Sequence, residues 1–329
     1  MNIFHIDQHS VHRLDSLPQE VPSSGYLWLD FTRGEQHNLF ETVKQLCQVD
    51  IHERHLEDQV TVNHPSSFDS MYDYDFLVFR SVKSIHMPQL QTDSCAFFLI
   101  DDFLISVHNP EDEAIPAVVK RLSMTHRRIP QYPEALLEMI IDTKIDQFLG
   151  VRTLMGESLA RWQNKLLTHN KPFKNWDEIM EFKGDIQTIR TLCEEQEDVL
   201  RNWRYSIRTD VALDRQVVEH LTINLSDISE HIRRVLRHAQ KLESDLEALL
   251  QLHFSIISNQ TNEVMRVLAL MSSIFLPTTL VTGIFGMNFI KMPGLSNPHG
   301  YDFTIVGMIG IAISLIIFFQ TQKVAVSIF

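Results

Sequence analysis

The chain has 329 residues, of which 44% are hydrophobic and 22% charged, a balance typical of globular proteins with two or three structural units. Its formal net charge of -13 at pH 7 argues against nucleic acid as a partner and favours cations. The cysteines Cys47, Cys95 and Cys193 have no CxxC spacing. This argues against disulfides and against a cysteine zinc site, and it suits a reducing compartment.

Short strand-like stretches run through the first 110 or so residues. They are residues 2–6, 26–31, 75–82, 96–100 and 103–108, and the last two flank Asp101-Asp102 as in a hairpin. Helical stretches such as residues 37–48 lie among them. We therefore predict an α/β or α+β domain over residues 1–132, and we expect it in the cytoplasm because residues 1–29 lack a signal-peptide pattern.

Long helices follow this domain. Residues 134–167 and 176–207 read as a helical hairpin within residues 133–212, with a turn at Asn170-Lys171-Pro172. The next helix is predicted from about Leu213 to Gly283, on the order of 100 Å at about 1.5 Å per residue. Its apolar positions step by three and four: Leu221, Leu225, Ile228, Ile232, Val235, Ala239, Leu242, Leu246, Leu249, His253 and Ile256.

Two uncharged runs close the chain. Residues 267–285 and 303–319 are each long enough to span a hydrocarbon core about 30 Å thick. We predict two transmembrane helices, with a stalk at residues 213–266, an outer loop at 286–302 and a cytoplasmic tail at 320–329. Both termini then lie on one side, and Arg266 and Lys323, against Lys291 in the loop, place that side in the cytoplasm.

The long helix has a second face, displaced by two residues from the apolar stripe and therefore on its opposite side. Before the membrane this face is polar, and within the membrane it stays small and hydroxylic. Such a face means either close helix packing or a water-filled lumen. Both readings stay open for the membrane part, and the continuity of the polar face favours the lumen. Its positions are Asp227, Glu230, Arg234, Arg237, Lys241, Ser244, Ala248, Gln251, Ser255, Ser258, Asn262, Met265, Ala269, Ser272, Leu276, Thr279 and Gly283.

The tripeptide Gly286-Met287-Asn288 directly follows the first membrane run. In this position it resembles the signature of the CorA family of divalent-cation channels. Similar flanking features are Asn262-Glu263-Val264-Met265, Phe275-Leu276-Pro277, Met292-Pro293 and, upstream, His55-Leu56-Glu57-Asp58 with residues 72–80. Parts of the loop, Pro293-Gly294 and Asn297-Pro298-His299, are also similar to the zinc-transporting ZntB branch, although that branch usually has another residue in place of Met287.

The resemblance implies an α+β cytoplasmic domain, long helices and a two-helix transmembrane hairpin in a funnel-shaped homopentamer of the inner membrane. Gly286, Met287 and Asn288 would form the selectivity entrance. The pore lining or gate would consist of Asn262, Met265, Leu268 or Ala269, Ser272, Leu276, Thr279 and Gly283. Mg²⁺ would be both the transported ion and a cytoplasmic regulatory ion bound between subunits by Asp58 and Asp227, with Co²⁺ and Ni²⁺ as further candidate cargo.

Some residues depart from the family pattern. The loop residues Phe289, Ile290, Lys291 and Gly294 supply no acid, Gln251 stands where relatives often have Asp, and the tail has Lys323 as its one base. These residues predict a weaker electrostatic attraction of cations than the family pattern implies.

The sequence was also compared with the motifs of enzymes and cofactor-binding proteins. The sixteen histidines form no HExxH motif, and the sequence contains no P-loop, GxSxG or dinucleotide fingerprint, so we predict neither an enzyme nor an organic cofactor. The open alternatives are a ZntB-type zinc transporter and a non-conducting, membrane-anchored signalling or scaffold protein. Coupling of transport to protons is also left open.

Overall fold

The computed structural model describes residues 1–18, 22, 24–35, 41, 43, 44, 46–84, 89–124, 129–169, 176–210, 213–287, 292, 294 and 298–326. The chain divides into two compact units. Met1–His169 and Phe173–Leu249 form the first unit, and Leu250–Phe329 lies in the second. The finer division predicted from sequence, including the loop at 286–302 and the tail at 320–329, stays a prediction.

A seven-stranded mixed sheet lies at the centre of the first unit. Its order is β2-β1-β3-β7-β6-β5-β4, in which β3 and β7 pair in parallel and the other neighbours are antiparallel. The β6–β7 hairpin turns at Asp101, whose φ of 41° is one that Asp tolerates. The strands are β1 (Asn2–Ile6), β2 (Val11–Leu14), β3 (Tyr26–Thr32), β4 (Ser67–Ser70), β5 (Asp75–Ser84), β6 (Gln91–Ile100) and β7 (Phe103–His108).

The central strands are buried on both faces. Every residue of β7 and all but the last of β3 are buried, which explains their continuous apolar runs. Leu29, Phe31, Phe76 and Phe98 belong to the core cluster on one face. Helices cover the other face, where Trp28 is fully buried and its indole N–H donates to Ser106 Oγ at 2.9 Å.

Six described helices accompany the sheet: α1 (Glu53–Asp58), α2 (Ala114–Leu122), α3 (Pro133–His169), α4 (Trp176–Thr209), α5 (Arg215–Phe285) and α6 (Gly300–Val326). Helix α3 packs against β3, β5, β6 and β7, and α4 packs against β4 and β5. Pro133 suits the start of α3, because its fixed φ is helical and a first-turn residue needs no N–H partner.

The first part of α5 packs by its predicted apolar stripe. All nine stripe positions from Leu221 to Leu249 are buried, as are His253 and Ile256. Polar contacts join α5 to the other long helices: Asn224 Nδ2 donates to Glu138 Oε2 of α3 at 2.8 Å, and Arg190 Nη1 of α4 donates to Glu243 Oε2 at 2.7 Å. The stripe prediction is confirmed, and α5 is therefore held against α3 and α4 by one of its two sides.

The second unit contains the end of α5 and the apolar helix α6. Both helices are long and apolar enough to cross a membrane, because each contains an 18-residue stretch of high mean hydropathy, 1.9 within α5 and 2.3 within Gly300–Phe319 of α6. Half-buried residues recur at helical spacing along each: Leu270, Ile274, Pro277 and Val281 on α5, and Thr304, Met308, Ala312 and Leu315 on α6. These two stripes indicate the sides by which the helices pack.

The sequence pattern and the structure differ at the edges of the sheet. Strands β1, β3, β5, β6 and β7 and helices α3, α4 and α5 fall on the predicted stretches, whereas β2, β4, α1 and α2 are not predicted. β2 (VHRL) and β4 (SFDS) are short edge strands without buried residues, so no apolar alternation marks them. Half of the predicted helix at 37–48 lies outside the described residues, but residues 41, 43, 44 and 46 are helical and Cys47 N–H donates to the Val43 carbonyl at 2.8 Å.

A buried ion pair joins α3 to the sheet and to α2. Lys144 Nζ donates to Asp112 Oδ2 at 2.5 Å, and the Cys95 thiol of β6 donates to the same oxygen at 3.2 Å. The other oxygen of Asp112 accepts the N–H groups of Ala114 and Ile115 and so caps α2. Burial alone would raise the pKa of Asp112, but the Lys144 charge and these hydrogen bonds lower it to about 2.

Replacing Lys144 by Ala should destabilise the first unit by about 3–5 kcal/mol, because it leaves the Asp112 charge buried without its partner. Chemical denaturation followed by tryptophan fluorescence measures this change. The matched control is Arg201→Ala, which breaks the exposed pair with Asp198 and should cost less than about 1 kcal/mol. Equal effects of the two substitutions would contradict a role for burial.

Candidate functional site

The predicted pore positions lie on one exposed face of α5. Asn262, Met265, Leu268, Ser272, Leu276, Thr279 and Gly283 are all exposed in the protomer. The most exposed apolar residue among them, Leu276, is 70% exposed, although it lies in a helix that could span a membrane. This face is opposite to the half-buried stripe directed at α6, so it is available to another copy, to lipid or to water.

Hydroxyl groups on α5 fall into two classes. Thr278 and Thr282 donate to main-chain carbonyls of the preceding turn, at 3.0 Å to Ile274 and 3.1 Å to Thr278, respectively. The hydroxyls of Ser272 and Thr279, on the predicted pore face, make no hydrogen bond to the part of the chain that the structure describes. They are therefore free to bind water or a hydrated ion.

The predicted entrance follows directly after α5. Gly286 N–H donates to the Thr282 carbonyl at 2.9 Å, and Met287 N–H donates to the Ile284 carbonyl at 3.2 Å, which closes the last turn. A Cβ on residue 286 would lie 3.1 Å from the Thr282 oxygen, so the turn is tight there. Asn288, the predicted selectivity residue, lies outside the described residues.

A cavity of about 480 Å³ lies beside this turn. Thr282, Phe285 and Gly286 line it from α5, and Tyr301 and Met308 line it from α6. The entrance tripeptide therefore begins where the two helices of the second unit are separated by open space.

Asp58, the first predicted regulatory acid, is the last residue of α1. Its carboxylate lies 3.3 Å from His64 Nε2 and 3.7 Å from Arg54 Nε, and its side chain is 20% exposed. Helix α1 begins at the cap residue His52, whose ring accepts the Arg54 N–H. Asp58 thus has basic neighbours that a bound cation would have to displace.

Asp227, the second predicted regulatory acid, lies on the exposed face of α5 with 76% of its side chain accessible. It is 4.0 Å from His231 Nε2, one turn further along the helix. Both Asp58 and Asp227 are described, and no hydrogen bond or ion pair joins them within the protomer.

Asp227 instead lies beside a cluster of possible metal ligands that is not predicted from the sequence. Asp142 and Asp146 of α3 and His231 of α5 each offer a ligand atom, and these atoms lie within 4.8 Å of one another. Two carboxylates and an imidazole form a donor set that suits a divalent metal such as Co²⁺ or Zn²⁺, and the carboxylates suit Mg²⁺. The cluster is therefore the best-formed candidate metal centre in the described part of the chain.

The electrostatics of the cluster favour a cation. Burial raises the pKa of Asp142, the negative charge of Asp146 raises it further, and the nearby Asp227 acts in the same direction. Arg121 and His231 oppose this shift. A divalent ion between these groups would remove the repulsion between carboxylates that are held close together.

The sequence contains a weak signal for this cluster. Asp142 and Asp146 are four residues apart on one helix, as are Asp227 and His231 on another, so each pair shares a helix face. Such pairs are common on solvated helices. What sequence alone does not supply is the pairing of α3 with α5, which places the two faces opposite each other.

The comparison with protein families decides the classification. Residues 23–321 match the model of the CorA-like Mg2+ transporter protein. The chain belongs to the CorA family. This confirms the resemblance drawn from Gly286-Met287-Asn288 and its flanking residues.

Individual relatives agree with this family. The cobalt/magnesium transport protein CorA of Thermotoga maritima is 24% identical over 309 residues, covering 92% of this chain and 84% of the relative. The complete structure of a CorA magnesium transporter from Methanocaldococcus jannaschii matches with a TM-score of 0.75 at 17% identity, over 97% of this chain and 98% of that one. The likeness confirms the predicted fold class, with its mixed sheet domain, long helix and apolar C-terminal helices.

The ZntB branch is also represented. The cytoplasmic domain of ZntB from Vibrio parahaemolyticus matches with a TM-score of 0.53 at 14% identity, over 75% of this chain and 96% of that domain. This match shows that the chain shares the fold of that domain. That structure is of the cytoplasmic domain alone, so the loop similarity at Pro293-Gly294 stays an expectation.

Replacing Asp142 and Asp146 together by Asn should weaken Co²⁺ binding at least about tenfold, because two of the three ligands lose their charge. The visible absorption of bound Co²⁺, titrated into the purified chain, measures the affinity. The control is Asp177→Asn, an exposed acid in the first turn of α4. Unchanged absorption in the double variant would exclude the cluster as a metal centre.

Proposed function

We propose that this protein is a homopentameric channel of the inner membrane that carries Mg²⁺, and also Co²⁺ or Ni²⁺, down the electrochemical gradient. Family membership supports divalent-cation transport. The observation that carries the proposal for this chain is the exposed face of α5, which is polar before the apolar segment, keeps Ser272 and Thr279 within it and leads to Gly286-Met287-Asn288.

The exposed face suits a shared aqueous axis. In a protomer alone, exposed Ser272 and Thr279 on a membrane-spanning helix would face lipid with unsatisfied hydroxyls, which is unfavourable. Around a five-fold axis the same hydroxyls would face water. Exposed rings of Met265, Leu268 and Leu276 would then supply an apolar constriction that closes by dewetting.

The entrance chemistry suits a hydrated ion. Mg²⁺ loses its water reluctantly, so five neutral amides at Asn288 would bind its hydration shell by hydrogen bonds without stripping it. Gly286 keeps the approach to Asn288 free of a side chain. A charge of +2 gains about 4.6 kcal/mol per 100 mV of membrane potential, so transport needs no nucleotide hydrolysis.

Regulation would involve Asp58 of one protomer and Asp227 of its neighbour. The high exposure of Asp227 leaves it free to bind across an interface, and Asp142, Asp146 and His231 beside it add donors. A bound cytoplasmic ion would join the subunits, and its loss would leave carboxylates that repel each other and loosen the ring. Ion binding would thus favour closure, with both termini on the cytoplasmic side.

A ZntB-type zinc transporter is the second candidate. The presence of His231 in the cluster favours it, because imidazole binds Zn²⁺ better than it binds Mg²⁺. Flux from matched Mg²⁺ and Zn²⁺ gradients separates the two functions. A chain that conducts neither ion would be a scaffold or signalling protein.

Replacing Asn288 by Ala should reduce Mg²⁺ influx into liposomes at least about tenfold. Losing even one hydrogen bond to the hydrated ion costs about 1.5 kcal/mol, which corresponds to about a tenfold change. A Mg²⁺-sensitive dye inside the liposomes measures the flux, and Asn202→Ala, which removes an exposed amide from α4, is the control. Full influx through the Asn288 variant would remove the entrance assignment.

Replacing Asp227 by Ala should raise the internal Mg²⁺ concentration that half-closes the channel, by at least about fivefold. The same liposomes, loaded with increasing internal Mg²⁺, give this concentration. Asp198→Ala, an exposed acid on α4, is the matched control. If both variants close at the wild-type concentration, Asp227 has no part in regulation.

A further inference from the structure

The exposed face of α5 carries a group of basic residues between its acidic start and its membrane part. Arg234, Arg237 and Lys241, here called the basic belt, are exposed and spaced by three and four residues. That spacing puts them on one side of the helix over about 10 Å of its length. The chain as a whole has a net charge of -13, so the charge of the belt is opposite in sign to that of the chain.

Acids near the belt offset only part of its charge. Arg237 Nη2 binds Glu230 Oε1 at 2.9 Å. Two further acids are paired with other bases, since Glu243 binds Arg190 at 2.7 Å and Glu197 binds Arg233 at 3.3 Å. Asp245, four residues after Lys241, forms no ion pair with the described residues.

Arg237 lowers the pKa of the Glu230 carboxyl most, and Arg234 lowers it further, so Glu230 offsets part of the charge of both bases. Arg234 and Lys241 form no ion pair with the residues that the structure describes. Residues 230–245 contain four bases and the three acids Glu230, Glu243 and Asp245, so this part of each protomer carries a charge of +1.

A five-fold ring would concentrate this charge. Five copies of +1 give +5 around one axis, on the face that continues toward Ser272 and Thr279. Cations leaving the membrane along that axis would be repelled unless anions occupy the ring. The positive charge of the ring therefore attracts counter-ions, and the close spacing of its bases favours multivalent anions.

We propose that the basic belt binds a multivalent phosphate anion, such as inorganic triphosphate or the phosphate chain of a nucleotide, at the cytoplasmic end of the conduction path. Planar guanidinium groups match phosphate oxygens two at a time, and the lysine adds a mobile point charge. The bound anion neutralises the ring and lets the cation pass. This inference rests on the pentamer of the proposed function.

Equilibrium titration of the purified full-length pentamer with inorganic triphosphate, in chelator and low salt, tests the belt. We expect saturable binding that weakens steeply as salt rises, and at least a tenfold loss of affinity in the triple variant Arg234→Gln, Arg237→Gln, Lys241→Gln. The matched control is Arg161→Gln, Lys183→Gln, Arg201→Gln, which removes three exposed bases from α3 and α4. It should bind as the wild type does.

Parallel titrations with ATP and with chloride identify the anion. Equal binding of ATP and triphosphate means that the phosphate chain is recognised, and tighter ATP binding means that a nucleoside contact adds to it. Equal binding by wild type and triple variant, or saturation by chloride at the same concentration as triphosphate, overturns the proposal. Light scattering on each sample gives the oligomeric state and so separates the two hypotheses. A monomer would contradict the proposed channel, whereas a pentamer that does not bind triphosphate would contradict the proposal for the belt alone.

Discussion

The structure depends on the two-sidedness of α5. Its apolar stripe, from Leu221 to Leu249, is buried against the other long helices, and that burial fixes which side of the helix is left over. Every candidate functional group on α5 except His231 lies on the exposed side, from Asp227 through the basic belt to Thr279. A rotation of α5 by half a turn would bury charged residues and expose leucines, so hydrophobic packing sets the position of the site.

The candidate metal centre depends on a second anchored helix. Lys144 is two residues from both Asp142 and Asp146, which puts it on the opposite side of α3. Its ion pair with Asp112 is buried and directional, so α3 cannot turn about its axis without exposing a charge to an apolar core. Asp142 and Asp146 are thereby held toward His231. The sheet thus controls the geometry of a site with which it has no direct contact.

Sequence periodicity was enough for the long elements and insufficient for the site. The stripe of α5 and the apolar strands β3 and β7 repeat one physical requirement many times, so pattern alone predicts them. The short edge strands β2 and β4 bury nothing, and α1 has six residues, too few to establish a period. The metal cluster was missed for another reason. Its residues come from helices about 85 positions apart, and which faces meet is decided by packing that no local pattern records.

The distribution of charge along α5 bears on which ion is carried. The predicted pore face has neutral Asn262, Ser272 and Thr279 in its membrane part and Gln251 before it, with neither thiolate nor imidazole. Zn²⁺ gains most from such nitrogen and sulfur ligands, whereas hydrated Mg²⁺ needs only neutral hydrogen-bonding partners and enough room. Selection between ions along this face would therefore depend on the size of the hydrated ion and on how strongly the ion holds its water. The imidazole donor of the candidate metal cluster, His231, lies off this face, so under the proposed function the regulatory ion and the transported ion would be selected by different chemistry.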